Sequence, residues 1–175
     1  MRAGYLHCIG GASGDMLLGA LLDAGLPLQS LKEELARLPL SGYSIETHAA
    51  RRGVVAGTQV TVRLDARGRA SHSIQDMIAL VEASSLSTSV KDKARRVLER
   101  LEEAEIRVHG AGHQLHELGE IDTVIDVVGV VSGLELLGVE RLYSSPLPCG
   151  WGVISSGEGP LPVPAPATAE IMAMA

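Results

Sequence analysis

The sequence predicts an α/β fold, with α+β as the nearest alternative, built as a small mixed sheet against several packed helices. Three observations point there. The chain opens with an apolar run over residues 3–9. The small residues Gly10-Gly11-Ala12-Ser13-Gly14 and a helical pattern follow, which is the order strand, tight loop, helix. Val60, Val62 and Leu64 alternate with polar residues as a half-buried strand does. Val90, Ala94, Val97, Leu98, Leu101 and Val108 recur at the spacing of one helix face.

Taken in order, residues 3–9 read as a short buried strand. Ser13 is placed to cap a helix that begins at about Asp15, and Asp15 suits the positive end of the helix dipole. Gly25 and Pro27 stop that helix. The next helix carries Leu28, Leu31, Leu35 and Leu38 on one face and ends at Pro39. Residues 44–50 and 58–64 form paired strands around Gly53 and Gly57, and residues 67–73 are a polar loop. Ile74, Met77, Ile78 and Val81 mark a short amphipathic helix. The long helix over 90–108 starts at Ser89, which with Asp92 resembles a capping box, and ends at Gly110. Residues 123–137 are apolar almost all round, which marks a buried helix. Asp122, Asp126, Gly129 and Gly133 form one stripe along it. Residues 141–144 and 151–155 read as strands, 160–166 as an extended proline-rich segment, and 165–175 as the start of a helix. That last helix has no stop signal, so residues 1–175 are expected to be the single N-terminal domain of a longer protein.

Composition excludes several functions. The net charge of −6, from 15 basic and 21 acidic residues, does not suit binding to a phosphate backbone. With no Phe and one Trp, a stacking platform for single strands has little to work with. The most apolar stretch, near 123–139, is interrupted by Asp126, Ser132 and Glu135 and is too short for a membrane span. Residues 1–8 carry no secretory signal, and two cysteines make no disulfide framework. A cytoplasmic protein acting on a small molecule, with no nucleic acid or membrane partner, is the expectation.

Three segments concentrate chemistry. Gly11, Ser13, Gly14 and Asp15 lie on a strand-loop-helix turn whose free amides suit an anion such as a phosphate. The same residues also read as a tight turn with a good cap, and the turn lacks the Lys-Ser or Lys-Thr of a P-loop. His113, His116, Glu117, Asp122 and Asp126 gather imidazole and carboxylate ahead of the buried helix, donors that nickel accepts. A carboxylate on an apolar helix is costly unless paired, bonded or bound to metal. The bland alternative is that Asp122 caps the helix, Asp126 bonds nearby backbone, and the histidines are surface residues. The third segment, Ser145-Pro-Leu-Pro-Cys149-Gly-Trp-Gly152 and the proline run after it, is rigid and irregular. Cys8 and Cys149 are candidate thiolates, although a buried Cys is more often a small hydrophobe.

Three motifs agree in order and spacing: Tyr5-Leu-His-Cys-Ile-Gly-Gly-Ala-Ser-Gly-Asp-Met16, His116-Glu-Leu-Gly-Glu-Ile-Asp-Thr-Val-Ile-Asp-Val-Val-Gly129, and Ser145-Pro-Leu-Pro with Leu161-Pro-Val-Pro-Ala-Pro-Ala-Thr168. Together they resemble the N-terminal region of the LarC family, the nickel-insertion proteins of nickel-pincer cofactor biosynthesis, over about residues 4–175. The resemblance implies insertion of Ni2+, handled as a substrate, into pyridinium-3,5-bisthiocarboxylic acid mononucleotide. It implies CTP hydrolysis with Mn2+ or Mg2+, and a further C-terminal domain associated with nucleotide binding and oligomerisation. The implied partners are therefore the mononucleotide, that C-terminal domain and further copies in a homo-oligomer. His116, Glu117 and Asp122 are then expected along the metal path, with Cys8 and His113 beside them, and Gly11, Ser13, Gly14 and Asp15 at the substrate's phosphate. The chain departs from the family pattern at His7-Cys8-Ile9-Gly10-Gly11, at Gln114-Leu-His116 and at Ser156-Gly-Glu158-Gly159, where ligand-type residues are replaced. A nickel-binding or storage module without catalysis, an interaction domain, and a divergent small-molecule enzyme remain as alternatives.

Overall fold

A computed structural model describes every residue except 67, 70, 111–119, 157, 158 and 175. The strands are β1 (Arg2–Leu6), β2 (Tyr43–Arg52), β3 (Val55–Leu64), β4 (Val139–Ser144), β5 (Val153–Ser156) and β6 (Gly159–Pro162). The helices are α1 (Gly14–Asp23), α2 (Leu28–Leu35), α3 (Ile74–Ala83), α4 (Thr88–His109), α5 (Ile121–Leu136) and α6 (Pro166–Ala173). The α/β class holds. Parallel and antiparallel pairing are both present, distributed over three two-stranded ladders: β1 with β4 in parallel, β2 with β3 and β5 with β6 antiparallel.

The core is helical and centred on α5. Val124, Ile125 and Val128 of α5 are fully buried among Leu18 of α1, Leu31 and Leu35 of α2, Met77 and Val81 of α3, and Leu98 of α4. Burying a side chain of this size contributes about 1.5–3 kcal/mol, so α5 holds the domain together by contact on every side. The apolar-all-round pattern of its sequence has this cause. The Leu28, Leu31, Leu35 and Leu38 face packs as expected, although α2 ends at Leu35 rather than at Pro39.

Other expectations are corrected. The opening strand stops at Leu6 and is not buried: Ala3 and Tyr5 face solvent while Gly4 and Leu6 are half-covered. Helices α1 and α5 cover only one side of the β1–β4 pair, and Tyr5 stands beside the equally exposed Tyr143 on the other. The cap of α4 is Ser87, whose hydroxyl accepts from the Val90 amide at 3.2 Å, whereas Ser89 donates to Glu135. A true capping box occurs at α3, between Ser73 and Asp76. Val97 lies on the outer face of α4. Among the described residues no helix is long and apolar enough to cross a membrane.

The β2–β3 hairpin turns at Gly53, whose φ of 60° lies in the left-handed region that a side chain resists. It docks on α1 through two bonds to Asp23, from the Thr58 amide at 2.9 Å and the Thr58 hydroxyl at 2.7 Å. These bonds hold the Asp23 carboxyl below its usual range. Gly19 faces the Thr58 carbonyl so closely that a β-carbon there would collide with it. The hairpin is thus fixed to the same helix whose N-terminus carries the glycine loop.

Candidate functional site

The loop between β1 and α1 is anchored where it leaves the strand, because the Cys8 amide donates to the Ser145 hydroxyl at 3.0 Å. Ser13 takes the N-cap position with extended backbone, yet its hydroxyl makes no cap bond and donates instead to the Asp15 carboxylate. Asp15 in turn accepts from the Met16 amide at 2.9 Å. The amides of Gly14 and Asp15 find no acceptor among the described residues. They retain the partial positive charge of a helix start.

Across from them stands the first half of α5. Glu120 occupies its N-cap position without a side-chain cap bond, and Asp122 accepts from the Thr123 amide at 2.8 Å. Asp126, one turn on, turns toward α1. Its carboxylate lies against Gly14 so closely that a β-carbon at that glycine would fall within it. Its Oδ1 is buried and has no hydrogen-bond partner among the described residues. Burial first, then the carboxylates of Asp122 and Asp15, push the Asp126 carboxyl up to about 7. Among the described residues no backbone group bonds Asp126 Oδ1.

The fold therefore brings two separately predicted segments to one place: Gly14 and Asp15 from the loop, Asp122 and Asp126 from the helix. Asp126 is the residue that the expected ligand set leaves out. A carboxylate inside the apolar run 123–137 is the signal that points to it. Cys8 is buried with a free thiol, and Cys149 is exposed and free. His113, His116 and Glu117 lie outside the described residues. Among the described residues no group of three or more His, Cys, Asp or Glu is arranged to hold a metal ion. The interacting carboxylates of Asp15, Asp122 and Asp126 disfavour a bare phosphate at this loop. Beside Asp15, between α1 and the hairpin, opens a cavity of about 250 Å³ whose lining includes Met16, Arg52 and Thr58.

Comparison with known proteins gives one consistent result. The sequence model of the family described as "Nickel insertion protein" matches residues 4–175. A provisionally named nickel insertion protein of Citrifermentans bemidjiense is 45% identical over 98% of this chain and 46% of its own length. A protein of Geotalea daltonii with the same name is 45% identical over 98% of this chain and 45% of its own. The pyridinium-3,5-bisthiocarboxylic acid mononucleotide nickel insertion protein of Desulfitobacterium hafniense is 39% identical over 98% of this chain and 43% of its own. The chain thus spans less than half the length of the curated relatives it matches. No solved structure matches it.

Proposed function

The chain belongs to the nickel insertion protein family, and from that premise we propose that it handles Ni2+ on the way into a pyridinium bisthiocarboxylate mononucleotide, at the meeting of the glycine loop with α5. One observation carries this most: a buried, unpartnered carboxylate oxygen on Asp126, set between two further carboxylates and against Gly14. A carboxyl so placed gains a partner when a divalent cation displaces its proton. Asp126 supplies an oxygen donor of a kind that Mn2+ or Mg2+ also accepts. Selectivity for nickel then comes from imidazole, and His113 and His116 stand a few residues ahead of Asp122 in the chain.

The chemistry is ligand exchange. Protein oxygen and nitrogen donors hold nickel weakly enough to give it up to the sulfurs of the substrate and to a ring carbon, whose C–H proton leaves as the metal–carbon bond forms. A donor that titrates near neutrality suits that task, because reprotonation of Asp126 lowers the cost of release. CTP, which the family resemblance implies, enters no step here. The loop is ringed by carboxylates, and one arginine is a poor match for a triphosphate. The two free thiols fit a reducing cytoplasm.

The test is equilibrium dialysis of Ni2+ against the reduced chain and its Asp126→Asn and His116→Ala variants. Wild-type binding that each change weakens about tenfold or more, a loss of about 1.4 kcal/mol, supports the assignment. Full nickel binding by Asp126→Asn would sink it, and binding that the mononucleotide cannot draw off would favour a storage module.

A further inference from the structure

We infer that the groove between Asp15 and the β2–β3 hairpin seats the anionic end of the substrate, with Arg52 as its phosphate contact. This rests on the nickel site proposed above, and extends it from the metal to the molecule that receives it. Strand alternation places Ala50 and Arg52 on one face of the hairpin, and both line the cavity of about 250 Å³ that Asp15, Met16 and Thr58 also line. Arg51 points to the opposite face and does not.

Arg52 is exposed and makes no ion pair or hydrogen bond with any described residue. Arg63, Arg95 and Arg107 each hold a carboxylate at 2.7 Å, whereas Arg51, Arg96 and Arg141 are as unpaired as Arg52 among the described residues. Asp15 makes no ion pair with it, and the Ser13 hydroxyl and Met16 amide both donate to one oxygen of Asp15, Oδ1. In a chain of net charge −6, an uncommitted guanidinium beside an acidic loop is a local reversal of potential. Thr58 ties the hairpin to Asp23 of α1, with a tight approach at Gly19, and Arg52 stands beyond this anchor at the turn end of β2, opposite Val55.

A groove whose lining holds the Asp15 carboxylate and the Arg52 guanidinium fits a ligand that carries both a metal-binding group and a phosphate monoester. Guanidinium holds phosphate by two parallel N–H donors, a geometry that lysine does not reproduce. The phosphate then lies on the hairpin side, and the glycine loop faces the metal-binding end.

Nicotinate mononucleotide and nicotinate riboside, which differ only in the phosphate, serve as probes in calorimetric titrations of the full 175-residue chain without metal. The mononucleotide is expected to bind about tenfold or more tighter than the riboside. Arg52→Gln should erase that difference and leave the riboside affinity unchanged. Arg51→Gln, which removes the same charge from the other face, should preserve it. Equal affinities for the two probes, no binding of either, or a difference that survives Arg52→Gln would each overturn the inference. Nickel affinity of the Arg52→Gln chain, measured in parallel, should equal that of wild type. If it does while phosphate discrimination fails, the subsite falls and the nickel site stands.

Discussion

The two ends of the α1–α5 contact are made from the same stripe of residues and do different work. At the far end, Gly129 and Gly133 of α5 let Leu18 and Leu21 of α1 pack against the helix backbone. At the near end the roles are exchanged. The glycine, Gly14, is on α1, and α5 contributes Asp126, whose carboxylate fills the space a β-carbon would take. Close approach at one end closes the core, and at the other it buries a charge-bearing group without a partner. Small residues between helices are thus no signature of function in themselves. What separates the two ends is the chemistry of the group that the small residue admits.

The sharpest way to break this comparison is Gly14→Ala. The atoms in its way include the Asp126 β-carbon, which the backbone of α5 fixes, so no side-chain rotation relieves the clash. A loss of about 1–3 kcal/mol in urea unfolding is expected, together with loss of nickel binding. Asp126→Asn should give a pH-dependent change of the opposite sign. The folded carboxyl titrates at about 7 against 3.8 for an unperturbed aspartate, so between those values the native state holds a proton that the unfolded chain has released. Stability of the wild type therefore falls as pH rises through that window, and the penalty is complete above it. The Asn variant lacks this slope and should melt higher than wild type above neutrality. A Tm profile with the same slope in both proteins would contradict the assignment. Gly133→Ala should do least. Its β-carbon would lie 2.8 Å from Leu21 Cδ1 and 3.0 Å from Leu26 Cδ2, the movable ends of flexible side chains, and alanine gains about 1 kcal/mol in helix propensity. A net change within about 1 kcal/mol and full nickel binding are expected.

Much of this is legible in the sequence, and the parts that are not have physical reasons. The stripe Asp122, Asp126, Gly129 and Gly133 is visible because helical spacing is local. The hairpin is visible for the same reason, although Gly57, expected with Gly53 in its turn, lies inside the longer β3. That the stripe meets the glycine loop is not, because the contact joins segments more than a hundred residues apart and no periodicity encodes the pairing. Asp126 stands out as a costly carboxylate, but its isolation depends on what α1 fails to offer it. The α4 cap is hard to read because Ser85, Ser87 and Ser89 recur at alternate positions, and the hydroxyl that caps is chosen by geometry. The exposed face of β1 is hidden by its composition: an apolar strand reads as buried wherever its partners run out.

The central claim is that Asp126 exchanges a proton for the metal. It is tested most directly by titrating Ni2+ into the chain on either side of the Asp126 transition, near pH 6 and near pH 8, in two buffers of different ionisation enthalpy so that released protons are counted. The ionised fraction of a group titrating at about 7 predicts an affinity about tenfold higher at the upper pH, with a proton release at the lower pH that Asp126→Asn reduces by about one proton. Equal affinity at both values, or the same proton release in wild type and the Asn variant, would contradict it.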